Sequence, residues 1–235
     1  MKLLVSVTDV AEAREAFAGG ADVIDVKNPS EGSLGACPPK VIREVREALP
    51  NSTEVSAAIG DLPDLPGTAS LAALGAAVAG ANYVKAGICG PRTVDAALRL
   101  LKEVKEAVEV LKPRVKVVAV GYADHARVGC LSPREVLEAA RRASVEVWMV
   151  DTKVKDGTPL PSLLSLGELA SLIEEAHSYG LKAALAGSLG LSHLSWVKKL
   201  GADVVGFRSA ACGGDRVKGR VRRELVEELK RRLAA

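Results

Sequence analysis

Three β-branched stretches of this chain end on or near lysine: Val23-Ile24-Asp25-Val26-Lys27, Tyr83-Val84-Lys85, and Val147-Trp148-Met149-Val150-Asp151 with Lys153 and Lys155 just beyond. Two ammonium groups held close raise each other's cost of carrying charge. One then loses its proton near neutral pH and becomes a nucleophile or base. Carboxylates such as Asp25 and Asp151 oppose that shift, but they hold protons and orient the amines. The combination suits Schiff-base formation with an aldehyde or ketone. Taken singly, each Lys–Asp pair reads as a plain salt bridge; recurrence on three strands favours catalysis.

Such groups must be positioned by a fold, and the sequence alternates eight strand-like runs with eight helix-like runs. The strands are expected at Lys2–Val7, Val23–Lys27, Glu54–Ile59, Tyr83–Ile88, Val115–Tyr122, Val145–Thr152, Lys182–Ala186 and Val204–Arg208. Helices are expected at Val10–Ala18, Pro39–Ala48, Ser70–Ala79, Pro91–Leu111, Pro133–Ala143, Leu166–Tyr179, Leu194–Leu200 and Arg222–Leu233. Thr8 and Asp9, Ser132 and Ser192 stand where helix N-caps belong, and Gly19-Gly20, Gly80, Gly180 and Gly201 close helices. One closure recurs, as Gly20-Ala21-Asp22-Val23, Gly80-Ala81-Asn82-Tyr83 and Gly201-Ala202-Asp203-Val204, which marks a repeated βα unit. The pattern predicts an α/β protein with one domain over residues 1–235, a single (β/α)8 TIM barrel, a fold that typically takes about 250 residues. The alternative, an open doubly wound sheet, is weakened by the lack of GxGxxG in the first βα turn.

In a barrel of this kind the active site lies at the C-terminal ends of the strands. Residues two apart on a strand share a face, so Asp25 goes with Lys27, Tyr83 with Lys85, and Met149 and Asp151 with Lys153. These come from the second, fourth and sixth strands, which contribute to a common layer. The odd strands offer small residues, Ser6, Ala58, Gly121 and Ala186, as a pocket floor. After the seventh and eighth strands, where barrels commonly bind phosphate, glycine-rich loops supply Gly187 and Ser188, then Arg208, Ser209, Gly213 and Gly214, with Arg216 as a further source of charge. The long loop 28–35 after Lys27 reads either as a lid or as a plain surface loop.

Composition narrows the partners. A net charge of +3 is too small to imply nucleic acid or a membrane surface, although anionic small substrates fit. The basic C-terminal stretch from Arg216 to Arg232 is interleaved with glutamates and reads as a solvated helix. With 48% hydrophobic and only 3% aromatic residues, the core must be built from Ala, Val, Leu and Ile. The chain opens directly into a strand with no signal-peptide pattern, and Leu71–Ala81 is too short to span a bilayer, so a cytoplasmic protein is expected. That Ala-rich run reads as a buried helix or an interface, with core favoured; further copies of the chain, as a homo-oligomer, are the expected protein partner. Cys37, Cys89, Cys130 and Cys212 form no CxxC pair, and His125, His177 and His193 have no metal-ligand spacing. No metal and no cofactor are expected. Of the histidines, His125 follows a strand and is the one more open to a functional role.

Longer motifs then carry a resemblance. Asp-Val-Lys-Asn-Pro-Ser-Glu-Gly-Ser-Leu-Gly-Ala at 25–36, Gly-Tyr-Ala-Asp at 121–124, Asp151-Thr152 with Lys155-Asp156-Gly157, Ala-His-Ser-Tyr-Gly-Leu-Lys at 176–182, Ala-Leu-Ala-Gly-Ser at 184–188, Arg208, and the Ala-Ala-Cys and Gly-Asp-Arg at 210–212 and 214–216 are similar to the (5-formylfuran-3-yl)methyl phosphate synthases of methanofuran biosynthesis. The resemblance spans nearly the whole chain. It implies condensation of two glyceraldehyde 3-phosphate molecules into a furan aldehyde phosphate, with Lys27 forming the Schiff base and Lys85 accepting a proton. It also implies active-site roles for Asp25, Asp151 and Lys155. Lys153 lies outside the motif and is expected at the rim or in solvent, although strand parity alone would choose it over Lys155. A class I aldolase, a triose phosphate isomerase-like enzyme, and a phosphate-ligand-binding barrel without catalysis are the alternatives.

Overall fold

Period-two alternation sorts every strand of this chain into an inner and an outer face. The computed structural model, which describes residues 1–235 apart from Pro113, joins those strands into a closed parallel barrel in chain order. The strands are β1 (Lys2–Val7), β2 (Val23–Val26), β3 (Glu54–Leu62), β4 (Tyr83–Ile88), β5 (Lys116–Tyr122), β6 (Val147–Asp151), β7 (Lys182–Leu185) and β8 (Val204–Phe207). Around them run α1 (Val10–Ala18), α2 (Pro39–Glu47), α3 (Pro66–Val78), α4 (Val94–Leu111), the short α5 (His125–Val128), α6 (Pro133–Arg142), α7 (Leu166–Ser178), α8 (Leu194–Lys199) and α9 (Arg223–Ala234). The (β/α)8 expectation therefore holds, with β1 closing onto β8 through Leu4 opposite Gly206.

Outward residues such as Leu3, Val5, Ile24, Val84, Trp148 and Leu185 are buried against the helices. Inward residues such as Ala58, Val118, Val120, Met149 and Ala184 form a separate, smaller cluster inside the barrel. Each aliphatic side chain taken fully out of water contributes about 1.5–3 kcal/mol. The outer layer, which holds far more of them, is what keeps the barrel closed.

Helix boundaries follow their caps. Asp9 accepts from the Glu12 amide, and Ser132 and Ser165 form capping boxes with Glu135 and Glu168. The expected cap at Ser192 is not one: that residue lies within a 3-10 turn, and α8 starts after His193 with no side-chain cap. Helix α3 begins at Pro66 rather than Ser70, because proline's fixed φ suits the first helical position. Helix α4 begins after Thr93, whose hydroxyl accepts from the Ala96 amide, so Pro91 stays outside it. The Ala-rich run packs Ala69, Ala73, Ala76 and Ala77 inward while leaving Leu71 73% exposed.

The recurring helix-to-strand turn has a specific purpose. Asp22 accepts from the Leu3 amide, Asn82 from Val55 and Asp203 from Ala183, at 2.7–2.8 Å. Glu146 does the same for Val117 at 2.8 Å. Each even strand is thus preceded by a side-chain acceptor for the first free amide of the odd strand beside it, which would otherwise go unpaired.

Candidate active site

The inward positions at the C-terminal end of the barrel are occupied by charge. On β2, Asp25 is fully buried, and the next inward residue, Lys27, continues the strand by donating its amide to the Val7 carbonyl at 3.0 Å. On β4, buried Lys85 donates from Nζ to Asp25 Oδ2 at 2.7 Å, where the Ser6 hydroxyl also donates at 2.9 Å. At the end of β6, Lys155 Nζ donates to Asp151 Oδ1 at 2.6 Å and to Thr152 Oγ1 at 3.2 Å. Three amines therefore share two carboxylates. Lys27 is left over: among the described residues its Nζ reaches only the Ser33 carbonyl, at 3.4 Å.

That leftover position sets its protonation. Burial pulls the Lys27 pKa down to about 7, the charges of Lys85 and Lys155 push the same way, and Asp151 and Asp25 oppose. An amine in this condition is substantially neutral at physiological pH and available as a nucleophile. Asp151 is the counterpart: burial raises its pKa, but Lys155, Lys27 and the Thr152 amide outweigh burial and hold it at about 2. Among the described residues, no cluster of His, Cys, Asp and Glu is arranged to hold a metal ion. Burial raises the pKa of Cys37, Cys130 and Cys212 to about 11, which leaves these thiols poor nucleophiles.

Parity fails at the end of β6, and the structure gives the reason. The strand stops at Asp151, and the chain beyond it is folded back by Asp124, whose carboxylate accepts from the Lys153 and Val154 amides at 2.7 and 2.8 Å. This turn carries Lys155 over Asp151 and sends Lys153 to the rim, where its Nζ pairs with Asp61 Oδ2 at 3.1 Å. Gly121 also departs from the floor assigned to it. It faces α6, where an added Cβ would lie 3.0 Å from Pro133, and the inward residues of β5 are Val118, Val120 and Tyr122.

Loop 28–35 is held beside the site by its own anchors. Asp61 accepts from the Ser33 and Leu34 amides at 3.0 and 3.3 Å and from the Tyr122 hydroxyl. Ser33 Oγ donates to the Thr152 carbonyl at 2.8 Å, and Arg216 donates to the Pro29 and Gly32 carbonyls at 3.2 and 3.1 Å. Gly87 makes room for this cluster, since a side chain there would collide with the Tyr122 hydroxyl. Sequence reasoning missed Asp61, Tyr122 and Asp124. Tyr122 was within reach of the parity rule; Asp61 was not, because β3 was expected to end at Ile59 and instead continues past a register shift to Leu62.

The glycine-rich loops separate into two kinds. Gly187, Ser188 and Ser209 line the same cleft as Lys27, Lys85, Asp151 and Lys155. Gly187 sits at φ +108° against Thr152, where a Cβ would lie 2.9 Å from Cγ2, and Ser188 takes the left-handed φ of 49°. A non-glycine residue held there is strained, as is common where a ligand is gripped. Gly213 and Gly214 are exposed and form the turn behind the cleft, with the Gly214 amide donating to the Ser209 carbonyl at 2.8 Å. Arg208 borders the cleft, yet its donors are spent on Glu12, on the Ser6 and Gly219 carbonyls, and on the Arg216 carbonyl at 2.9 Å. His125 begins α5 and does not line the cleft.

The cleft is tight, with about 30 Å³ of free space, room for one or two waters. A larger cavity of about 370 Å³ opens at the opposite, N-terminal end of the barrel.

Residues 3–230 match the 4-HFC-P synthase family. The chain is 53% identical over 231 residues to the (5-formylfuran-3-yl)methyl phosphate synthase of Methanocaldococcus jannaschii, covering 98% of each. It is 50% identical over 231 residues to the protein of the same name from Methanothermobacter thermautotrophicus, again covering 98% of each. Among solved structures, a 3-hexulose-6-phosphate synthase superposes with TM-score 0.68 at 18% identity, covering 99% of this chain and 100% of that one. KGPDC from Streptococcus mutans superposes with TM-score 0.68 at 12% identity, covering 99% and 97%. At these identities the structural likeness speaks to the barrel fold alone.

Proposed function

Because this chain belongs to the 4-HFC-P synthase family, we propose that it condenses two molecules of glyceraldehyde 3-phosphate into (5-formylfuran-3-yl)methyl phosphate, with loss of phosphate and water, in methanofuran biosynthesis. Lys27 attacks the aldehyde carbon of one triose phosphate, water leaves, and a protonated imine forms. The imine acidifies the neighbouring C–H, Lys85 takes that proton after releasing the ammonium proton it holds against Asp25, and the resulting enamine attacks the second aldehyde. Asp25 orients Lys85. Asp151 orients Lys155, which meets the departing phosphate as a cation. Elimination and ring closure end in an aromatic furan, which makes the sequence irreversible in practice.

The observation that carries this reading is the amine count: two carboxylates each hold one lysine, and Lys27 stands beside them buried, without a carboxylate of its own at hydrogen-bond distance. Gly187, Ser188 and Ser209 suit the phosphate that survives into product, with Arg216 as the nearby charge and Arg208 as the residue that positions it. Gly213 and Gly214 shape the turn that presents Ser209. The cleft is too small for two triose phosphates as it stands, so loop 28–35 opens for entry and closes again before the chemistry.

Borohydride reduction in the presence of glyceraldehyde 3-phosphate, followed by peptide mapping, tests the assignment. A reduced adduct on Lys27 is expected; an adduct on Lys85 or Lys155 with Lys27 unmodified would overturn it. Near-ultraviolet absorbance of the product separates a furan aldehyde from an aldol or an isomerised triose phosphate.

A further inference from the structure

The cavity at the N-terminal end of the barrel has no part in the reaction as drawn above. Its mouth is formed by Met1, Lys2, Lys182 and Asp203, its walls by apolar inward residues such as Val23, Val118 and Val147, and its inner end by Lys85 and Ser56. A barrel of this type normally fills its interior with bulky branched side chains. Here Ser56, Ala184 and several valines leave about 370 Å³ empty, at a cost in packing energy.

Three observations say what occupies it. Lys85 borders both this cavity and the catalytic cleft, so one side chain connects the two ends of the barrel. Ser56 lines the cavity, and among the described residues its buried Oγ has no hydrogen-bond partner; Asp25, its register neighbour across the β2–β3 ladder, has an equally unpartnered Oδ1. Buried polar atoms left unpaired cost free energy that bound water recovers, and the cavity is large enough for a file of waters. On the other side, loop 28–35, the proposed cover of the cleft, is anchored to Asp61, to the Thr152 carbonyl and to Arg216.

We propose that the N-terminal cavity is a water-filled proton conduit serving Lys85. This rests on the Schiff-base reading given above. When Lys85 takes the proton, the C–H bond breaks, its electron pair forms the enamine double bond, and the nitrogen of Lys27 loses its positive charge. Lys85 is then again the ammonium that pairs with Asp25 in the resting site, and it must discharge before it can act as a base. It hands a proton to the water at Ser56, the file passes a proton out at the mouth, and the amine left behind takes the next C–H proton while the cover stays shut.

The test uses glyceraldehyde 3-phosphate deuterated at the carbon next to the aldehyde, in ordinary water. Ala184→Leu fills the cavity and Ser56→Val removes its inner polar contact, neither touching substrate. Each is expected to slow deuterium washout from recovered substrate, and kcat with it, by about tenfold or more, with KM within about twofold and the Lys27 adduct intact. Unchanged washout in a folded Ala184→Leu protein that still forms the adduct overturns the conduit. Should that variant not fold, Ser56→Val decides in the same way. If the unaltered enzyme forms no lysine adduct, the Schiff-base reading has failed instead. A high-resolution crystal structure then judges the cavity by itself: ordered waters linking Ser56 Oγ to Lys85 Nζ support the conduit, and a dry cavity overturns it.

Discussion

The two ends of this barrel are built on opposite terms. At the C-terminal end three lysines and two aspartates are packed into a cleft with about 30 Å³ of free space. At the N-terminal end mainly apolar walls, with polar groups at the mouth and inner end, surround about 370 Å³. Apolar residues are cheap to bury and charges are expensive, yet the charged end is the tightly packed one. Close packing there keeps water from screening the amines, and that is what leaves Lys27 near neutrality. The roomy end tolerates its gap because the layer between strands and helices supplies the stability.

Substitutions at the two ends should therefore separate chemistry from folding. The largest effect is expected from Lys27→Ala, with turnover and the borohydride adduct both lost while the melting temperature holds or rises, because a buried amine is removed. Loss of the fold would show that Lys27 is structural. Next comes Lys85→Met. Loss of a general base lowers the rate by about 10²- to 10⁴-fold, while single-turnover trapping still labels Lys27. It also leaves Asp25 buried without its cation, a change that typically costs about 3–5 kcal/mol, measurable by denaturant titration. A smaller effect follows at the cover: Asp61→Asn weakens charge-assisted hydrogen bonds worth about 1.5–3 kcal/mol each, so kcat/KM should fall about tenfold with the Lys27 adduct still formed.

The pH profile sharpens the contrast further. In the proposed reaction Lys27 attacks as a free amine, so the rate of adduct formation should rise with pH through about 7 and level off above it. Asp151→Asn removes a charge that holds that pKa up, which moves the rising limb to lower pH. In stability the sign follows from the same depressed value. Between about 7 and the ordinary lysine range, the unfolded chain binds the proton that the folded one has released, so this residue makes stability increase with pH there. Asp151, held at about 2, contributes stability above the unfolded carboxylate range that is lost as the pH falls toward 2. The smallest effect on activity is expected from Val147→Ala, which enlarges an existing cavity at the far end and should leave kcat within about twofold in a furan assay.

Period and punctuation were enough to give eight strands in order, because each inward or outward choice is made by the residue's own polarity and its neighbour two places away. The same rule brought Asp25, Lys27, Lys85 and Asp151 to one end. Past the last residue of a strand that rule has nothing to act on. Lys155 is in the cleft and Lys153 at the rim because Asp124, some thirty positions earlier, holds the intervening amides. Arg208 was legible as a cation near phosphate loops, but Glu12 of α1, far away in sequence, claims its guanidinium. Residue chemistry and alternation are local properties that the chain carries wherever it folds. Which amine goes without a carboxylate, and which end of the barrel is left open, depend on distances between segments that only barrel closure brings together.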